Sequence, residues 1–276
     1  PPSHNMIIYG MAAGGLSTGK LFLAGIGPGL MLCAAMCILV ARITRKRGYP
    51  RGPKYTVRES LKIVSDGFLG VMTIVIILLG VCTGLFTTTE SAAIACVYAL
   101  FVTLFIYKSI KVKDIWRIAK KSLGTLAMIL SIIAAANAFC YLMSLMQVPA
   151  KITQMLLTVS DNKYVVLILI NILLLVLGCF MDVAPLILIV TPILLPITTS
   201  LGMDPIQFCM MLIINLGIGL ITPPVGSTLF IGSAISGHSV GQLTKAMIPF
   251  YIMMIVALGL VTFVPAISTF LPALVM

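Results

Sequence analysis

Acidic residues are scarce in this sequence. Seven Asp and Glu stand against 18 Lys and Arg in 276 residues, and all charged types together reach only 9%. A soluble domain carries about 25% charged residues, so a water-facing globule of this size is excluded. Disorder is excluded on the same ground, because 60% of the chain is hydrophobic and the mean hydropathy is +1.17. The 23 Gly lack the G-X-Y period of collagen. No C-x-x-C occurs among the seven Cys (33, 37, 82, 96, 140, 179, 209), and no His/Cys/Asp/Glu cluster has metal-ligand spacing. The thiols therefore read as small buried hydrophobes. A P-loop, a nucleophile elbow and a G-x-G-x-x-G after a strand are also missing, which leaves catalysis and ATP hydrolysis without a sequence basis.

What is there instead is a series of long apolar runs. Barrel strands would alternate in segments of about ten residues, whereas these runs are continuous and predict an all-α polytopic membrane protein. The net charge of +11 does not point to nucleic acid, because eight Lys and Arg lie between Arg42 and Lys62 and six between Lys108 and Lys121. Both clusters join apolar runs, so the positive-inside rule makes them cytoplasmic loops, suited also to contact with anionic membrane lipids. The opening Pro1-Pro2-Ser3, without Met or a basic n-region, reads as part of a longer chain.

Spans are expected at 20–41, 63–81, 91–107 and 122–146, followed by a polar amphipathic connector at 147–163. Residues 164–199 read as a re-entrant hairpin tipped near Gly178–Pro185, its return arm short for a span of about 20 residues and holding Pro185, Pro192 and Pro196. Residues 206–220 head inward, break at Thr222-Pro223-Pro224-Val225-Gly226 and resume at 227–236, and 247–270 cross outward. The corresponding division is 1–41 (end of a first repeat), 42–62 (basic loop), 63–146 (scaffold-type helices with the basic loop 108–121), 147–163 (connector), 164–246 (second-repeat hairpin and broken helix) and 247–276 (C-terminal span).

The chain also repeats itself. Residues 1–24 align without a gap on 223–246, at an offset of 222, and nine of the 24 positions are identical. They are the two prolines, Gly10/Gly232, Ala12/Ala234, Gly15/Gly237, Ser17/Ser239, Gly19/Gly241, Leu21/Leu243 and Ala24/Ala246. Charge counting puts the 15–20 turn outside and the 237–245 turn inside, so the copies form an inverted-topology repeat. Paired prolines stop a helix and free carbonyls at membrane depth, which suits secondary transport: carbonyls replace the hydration shell of Na⁺, and half-helix N-termini attract an anion.

Two acidic residues are bounded by apolar sequence. Asp182 at the hairpin tip suits either a cation or a helix cap, while Glu90, after three Thr, reads mainly as a cap. Asn137 reads as an interhelical hydrogen-bond partner, and Asn215 either as the same or as part of the pathway. No membrane-embedded Arg is evident, so a carboxylate substrate would rely on helix ends and on hydroxyls such as Ser3, Ser227 and Thr228.

At these residues the chain becomes recognisable. PPSHNMIIYG, GLFTTTESAAIACVYALFV, GCFMDVAPLILIVTPILLPI and GLITPPVGSTLF closely resemble the large membrane subunit of tripartite ATP-independent periplasmic (TRAP) transporters, over nearly the whole chain and in order. The resemblance implies an inner-membrane importer of organic carboxylates that works with a periplasmic substrate-binding protein and a small four-helix membrane subunit. It also implies a Na⁺ gradient as the energy source and an elevator-like motion. The family's Na⁺ sites carry over to Gly178, Met181 and Asp182 with Thr222, Pro223 and Gly226. Of the symmetry mate only the Pro1–Asn5 half is present, with Ser3 and Asn5 as Na⁺ or substrate ligands, since its hairpin would precede residue 1. Asn215, Ser227 and Thr228 are the substrate candidates. The wording Ser3-His4-Asn5-Met6 looks more like the sugar-acid branch, sialic acid included, than the dicarboxylate branch. The rival readings are a stand-alone Na⁺/dicarboxylate symporter of related architecture, a passive channel and a membrane-embedded hydrolase; the last lacks paired catalytic groups.

Overall fold

Most helices in this chain begin where a side-chain oxygen can take up an orphan amide, and the same signals mark where several of the spans start. A computed structural model describes residues 2–49, 52, 55–147, 151 and 162–275, and every regular element among them is helical. In order they are α1 (His4–Ala12), α2 (Thr18–Arg47), α3 (Val57–Cys82), α4 (Thr88–Phe101, continued by a π-helical turn Val102–Ile106) and α5 (Val112–Leu145). Then come α6 (Lys163–Phe180), α7 (Val183–Ser200), α8 (Pro205–Leu220), α9 (Ser227–Ser236), α10 (Val240–Phe263) and α11 (Ala266–Val275). The connector expected at 147–163 lies almost wholly outside the described residues.

Capping boxes start three of these helices. Thr56 with Glu59 opens α3, Thr87 with Glu90 opens α4, and Ser239 with Gln242 opens α10. Glu90 is thus a cap: its carboxylate accepts from the Thr87 amide at 2.8 Å. Asn162 and Asp204 cap α6 and α8 in the same way, the latter followed by Pro at the first helical position. These caps move several expected boundaries. The basic segments 42–62 and 108–121 are largely the ends of α2, α3 and α5 rather than loops, because Lys and Arg continue a helix well and only a cap or glycine ends it. The last span runs Val240–Phe263 instead of 247–270, fixed by the Ser239 box in front and Pro265 behind.

Among the described residues five helices are long and apolar enough to cross a membrane: Thr18–Arg47, Thr88–Ile106, Lys163–Phe180, Val183–Ser200 and Val240–Phe263. The bent α3 supplies a sixth candidate. The return arm α7 is not shortened by its prolines. Pro185 sits in its first turn, where no ladder bond is lost, and Pro192 and Pro196 are carried inside a continuous helix of 18 residues. Its length equals that of the outgoing arm α6.

The chain forms two compact units. One holds residues 44–131, where α3 packs on α4; Gly80 has no side chain to keep the Ser91 hydroxyl away, and Tyr98 donates to the Leu69 carbonyl at 3.0 Å. The other holds residues 3–43 and 132–276 and is centred on α8, which packs against α1, α6, α7, α10 and α11. Phe208, Met211, Leu212 and Leu216 of α8 are fully buried. Polar groups tie this core together. Asn215 donates to the Asn171 side chain at 2.8 Å, Asn171 donates to Thr262 at 3.3 Å, and Gln207 donates to the Val261 and Thr262 carbonyls.

The repeat has matching local structure. The turns after α1 and α9 both pass through a left-handed glycine, Gly15 at φ +91° and Gly237 at φ +69°, a conformation that disfavours a side chain. Ser17 and Ser239 then open the long helices α2 and α10, their carbonyls each accepting at 3.1 Å from Leu21 and Leu243. The glycine in the short helix faces the leucine of the next one in both copies, Gly10 against Leu21 and Gly232 against Leu243. Even the helix prolines nearly register, Pro28 in α2 and Pro249 in α10.

Candidate functional site

Two chain breaks meet in the second unit. The first is the tip between α6 and α7, where Met181 is extended and the Asp182 carboxylate accepts from the Val183 amide at 2.8 Å. The second is the turn between α8 and α9. It starts with Thr222, whose amide donates to the Gly219 carbonyl (2.9 Å) and whose hydroxyl donates to Ile218 (2.7 Å). It passes through a cis Pro223–Pro224 bond and ends at Gly226 in the left-handed region, φ +41°. The Gly226 amide donates to the Cys179 carbonyl at 3.3 Å, which ties one break to the other.

Glycine makes this meeting possible. A Cβ on Gly219 would lie 2.5 Å from the Gly178 carbonyl carbon and 2.7 Å from its Cα, so α6 and α8 touch through bare backbone. A Cβ on Gly226 would fall 2.8 Å from the Thr222 carbonyl oxygen. The result is a cavity of about 110 Å³ lined by Gly178, Cys179, Phe180, Met181, Asp182, Leu220 and Val225.

The electrostatics of the cavity follow from helix direction. α6 and α8 both end here, so two sets of C-terminal carbonyls converge beside one carboxylate, and no cationic side chain lines the space. That arrangement favours a cation bound by oxygen. Among the described residues no three His, Cys, Asp or Glu side chains come together, so carbonyls and Asp182 are the ligands on offer. α7 and α9 both begin at the same breaks, and the N-cap of α9 supplies no side-chain acceptor for its amides. An anionic group would be favoured there.

Of the residues expected from sequence, Gly178, Met181 and Asp182 line this cavity and Gly226 is bonded to its wall. Thr222 and Pro223 shape the turn, with the Thr222 hydroxyl committed to Ile218. Thr228 is exposed in the first turn of α9, while the side chains of Ser227 and Asn137 lie outside the described residues. Asn215 is fully buried between α6 and α8, hydrogen-bonded to Asn171. Ser3 is the N-cap of α1, and the Oδ1 of Asn5 is buried without a hydrogen-bond partner; α1 packs on α7. Sequence reasoning took Gly219 only as part of the break Gly217–Thr228 and did not single it out as the contact with Gly178. It missed Tyr251, which donates to the Ile221 carbonyl at 2.5 Å and braces the break from α10.

Comparison with known proteins gives the family. The description "Tripartite ATP-independent periplasmic transporter, DctM component" matches residues 1–267. The sialic acid TRAP transporter large permease protein SiaM of Vibrio cholerae is 37% identical over 274 residues, 99% of this chain and 64% of the relative. The C4-dicarboxylate TRAP transporter large permease protein DctM of Pseudomonas aeruginosa is 38% identical over 272 residues, again 99% of this chain and 64% of the relative. The 2,3-diketo-L-gulonate TRAP transporter large permease protein YiaN of Escherichia coli is 33% identical over 265 residues, 96% of this chain and 62% of the relative. The chain thus spans a little under two thirds of these relatives, which are named as transport permeases rather than enzymes. With five apolar helices of spanning length among the described residues and a family match over nearly its whole length, this multi-pass inner-membrane chain belongs to the DctM component, the large permease subunit, of the TRAP transporters.

Proposed function

We propose that the chain is the transporting part of a Na⁺-coupled permease that imports an organic carboxylate by elevator-type alternating access. The observation that carries this reading is the convergence of two helix C-termini and Asp182 on one cavity, with two helix N-termini starting at the same breaks. A Na⁺ ion fits the carbonyl-rich pole, with Gly178, Met181, Asp182, Thr222, Pro223 and Gly226 as the residues around it. A substrate carboxylate fits the amide-rich pole, with Ser227 and Thr228 at hand and Asn215 holding the helix behind them. Ser3 and Asn5 take the equivalent role for the first repeat, where the unpaired Asn5 oxygen is a ready ligand.

The repeat supports alternating access, because two copies of opposite orientation exchange roles between outward- and inward-open states. In this reading α6 and α7 form a re-entrant hairpin. The partners are a periplasmic binding protein and a small four-helix membrane subunit. The names of the relatives span a sugar acid, C4-dicarboxylates and a keto sugar acid. That range supports an organic acid, and the Ser3-His4-Asn5-Met6 wording favours a sugar acid such as sialic acid.

The test is uptake of labelled sialic acid into proteoliposomes holding the complete transporter, with and without the binding protein and an inward Na⁺ gradient. Uptake should need both, and uptake indifferent to either omission would sink the mechanism. Uptake that needs Na⁺ but no binding protein would favour the stand-alone symporter. Asp182→Ala should raise the half-activating Na⁺ concentration by about tenfold, a loss of about 1.4 kcal/mol, while assembly persists. Normal Na⁺ activation in that variant would leave Asp182 as a helix cap alone.

A further inference from the structure

α5 is longer than a single membrane crossing needs. Its 34 residues extend about 51 Å at 1.5 Å per residue, against a hydrocarbon core of about 30 Å. The apolar run begins after Lys121, so with the span expected at 122–146 the first ten residues, 112–121, project from the core on the basic side. At 100° per residue they divide cleanly. Lys113, Arg117, Lys120 and Lys121 share one face, while Val112, Ile115 and Ala119 share the opposite one. Asp114 pairs with Arg117 at 2.8 Å and caps the helix through the Lys111 amide, so it offsets one of the four cations. The three lysines are exposed. Trp116, the one tryptophan in the 276 residues, lies between the two faces and is 76% exposed.

An exposed tryptophan next to a row of exposed lysines is chemistry matched to a phospholipid surface. Indole sits at the headgroup level and the ammonium groups meet phosphate. We propose that residues 112–121 form a docking surface for anionic phospholipid headgroups, with Lys113, Lys120 and Lys121 as the binding cations and Trp116 as the anchor.

The probe is phosphatidylcholine vesicles containing a minority of phosphatidylglycerol, with bromine on the acyl chains of one lipid or the other. The full-length protein is reconstituted, and the Trp116 signal is taken as the difference between the parent and Trp116→Phe. Brominated phosphatidylglycerol should quench that signal more than the same fraction of brominated phosphatidylcholine. Each lysine contributes about fivefold to local enrichment at low salt. The preference should disappear in Lys113→Gln/Lys120→Gln/Lys121→Gln and fade in the parent as salt is raised. Equal quenching by both lipids, or a preference that survives both the substitutions and salt, overturns the proposal. Absence of quenching overturns it as well, by placing Trp116 away from the interface. The salt arm needs no variant, so a triple substitution that fails to fold still leaves a decisive result.

Discussion

α1 with α2 and α9 with α10 share one local design and meet opposite surroundings. Both pairs turn through a left-handed glycine and restart at a serine, and in both a glycine faces a leucine across the turn. Yet Ile8 and Tyr9 are buried, whereas Phe230 and Ile231, their counterparts at the 222 offset, are 53% and 60% exposed. α1 lies against α7 and α8, and Tyr9 donates to the Pro205 carbonyl at 2.7 Å. α9 touches α10 and, more lightly, α8. The lesson is that registered Gly and Ser dictate shape, while burial is decided by neighbours. Within a bilayer an apolar face meets lipid at little more cost than it meets protein, so hydrophobicity does not say which it will meet.

The largest expected effect tests that contrast. Tyr9→Ala removes a fully buried aromatic ring and its bond to Pro205, and should cost about 3–5 kcal/mol. Ile231→Ala at the matching position should cost under about 1 kcal/mol, because the side chain is exposed. Thermal unfolding of the two variants in detergent checks both. Equal losses would mean that α9 is as firmly covered as α1.

How far these features could be read from sequence follows the same division. Spans, caps and the repeat were legible because Pro-Pro, Gly, Ser and capping pairs act locally: Glu90 stood three residues after Thr87, and Gly15 and Gly237 marked the same turn. Asp182 and the Pro-Pro break were legible as chemistry, since polar or broken backbone in an apolar run needs a reason. Tyr9 and Asn171 were not, because nothing near them in the chain announces Pro205 or Asn215. Gly219 was visible as a glycine, but only the fold shows that its partner is Gly178. The helix ends were misjudged wherever charge was taken as a loop signal, as at Arg42–Arg47 and Val112–Lys121, where the helix simply continues.

The break that opens the second copy offers a sharper probe. Gly219→Ala places a methyl group against the Gly178 carbonyl, a backbone obstacle that cannot rotate away. α6 and α8 must separate, at about 1–3 kcal/mol. The cavity beside Asp182 is built on that contact, so Na⁺-dependent uptake should fall more than thermal stability does. Loss of stability with unchanged Na⁺ activation would make the glycine pair a packing device only. Gly217→Ala, whose Cβ meets nothing within 4 Å, is the control.

The smallest effect separates the copies at their serines. Ser239 accepts from the Gln242 amide at 3.4 Å and Gln242 reaches back to the Ser239 amide at 3.1 Å, so both halves of a capping box are in place. In the first copy position 20 is Lys, which has no acceptor to return. Ser17 is left with a single bond from the Lys20 amide at 3.5 Å, the edge of a useful distance. Ser239→Ala should therefore cost about 1 kcal/mol and Ser17→Ala a few tenths at most. Amide hydrogen exchange in the first turns of α10 and α2 reads the difference directly. The decisive variant is Lys20→Gln, which should complete the box in the first copy and raise protection there toward that of α10. If it does not, the serines register in sequence without sharing a structural role.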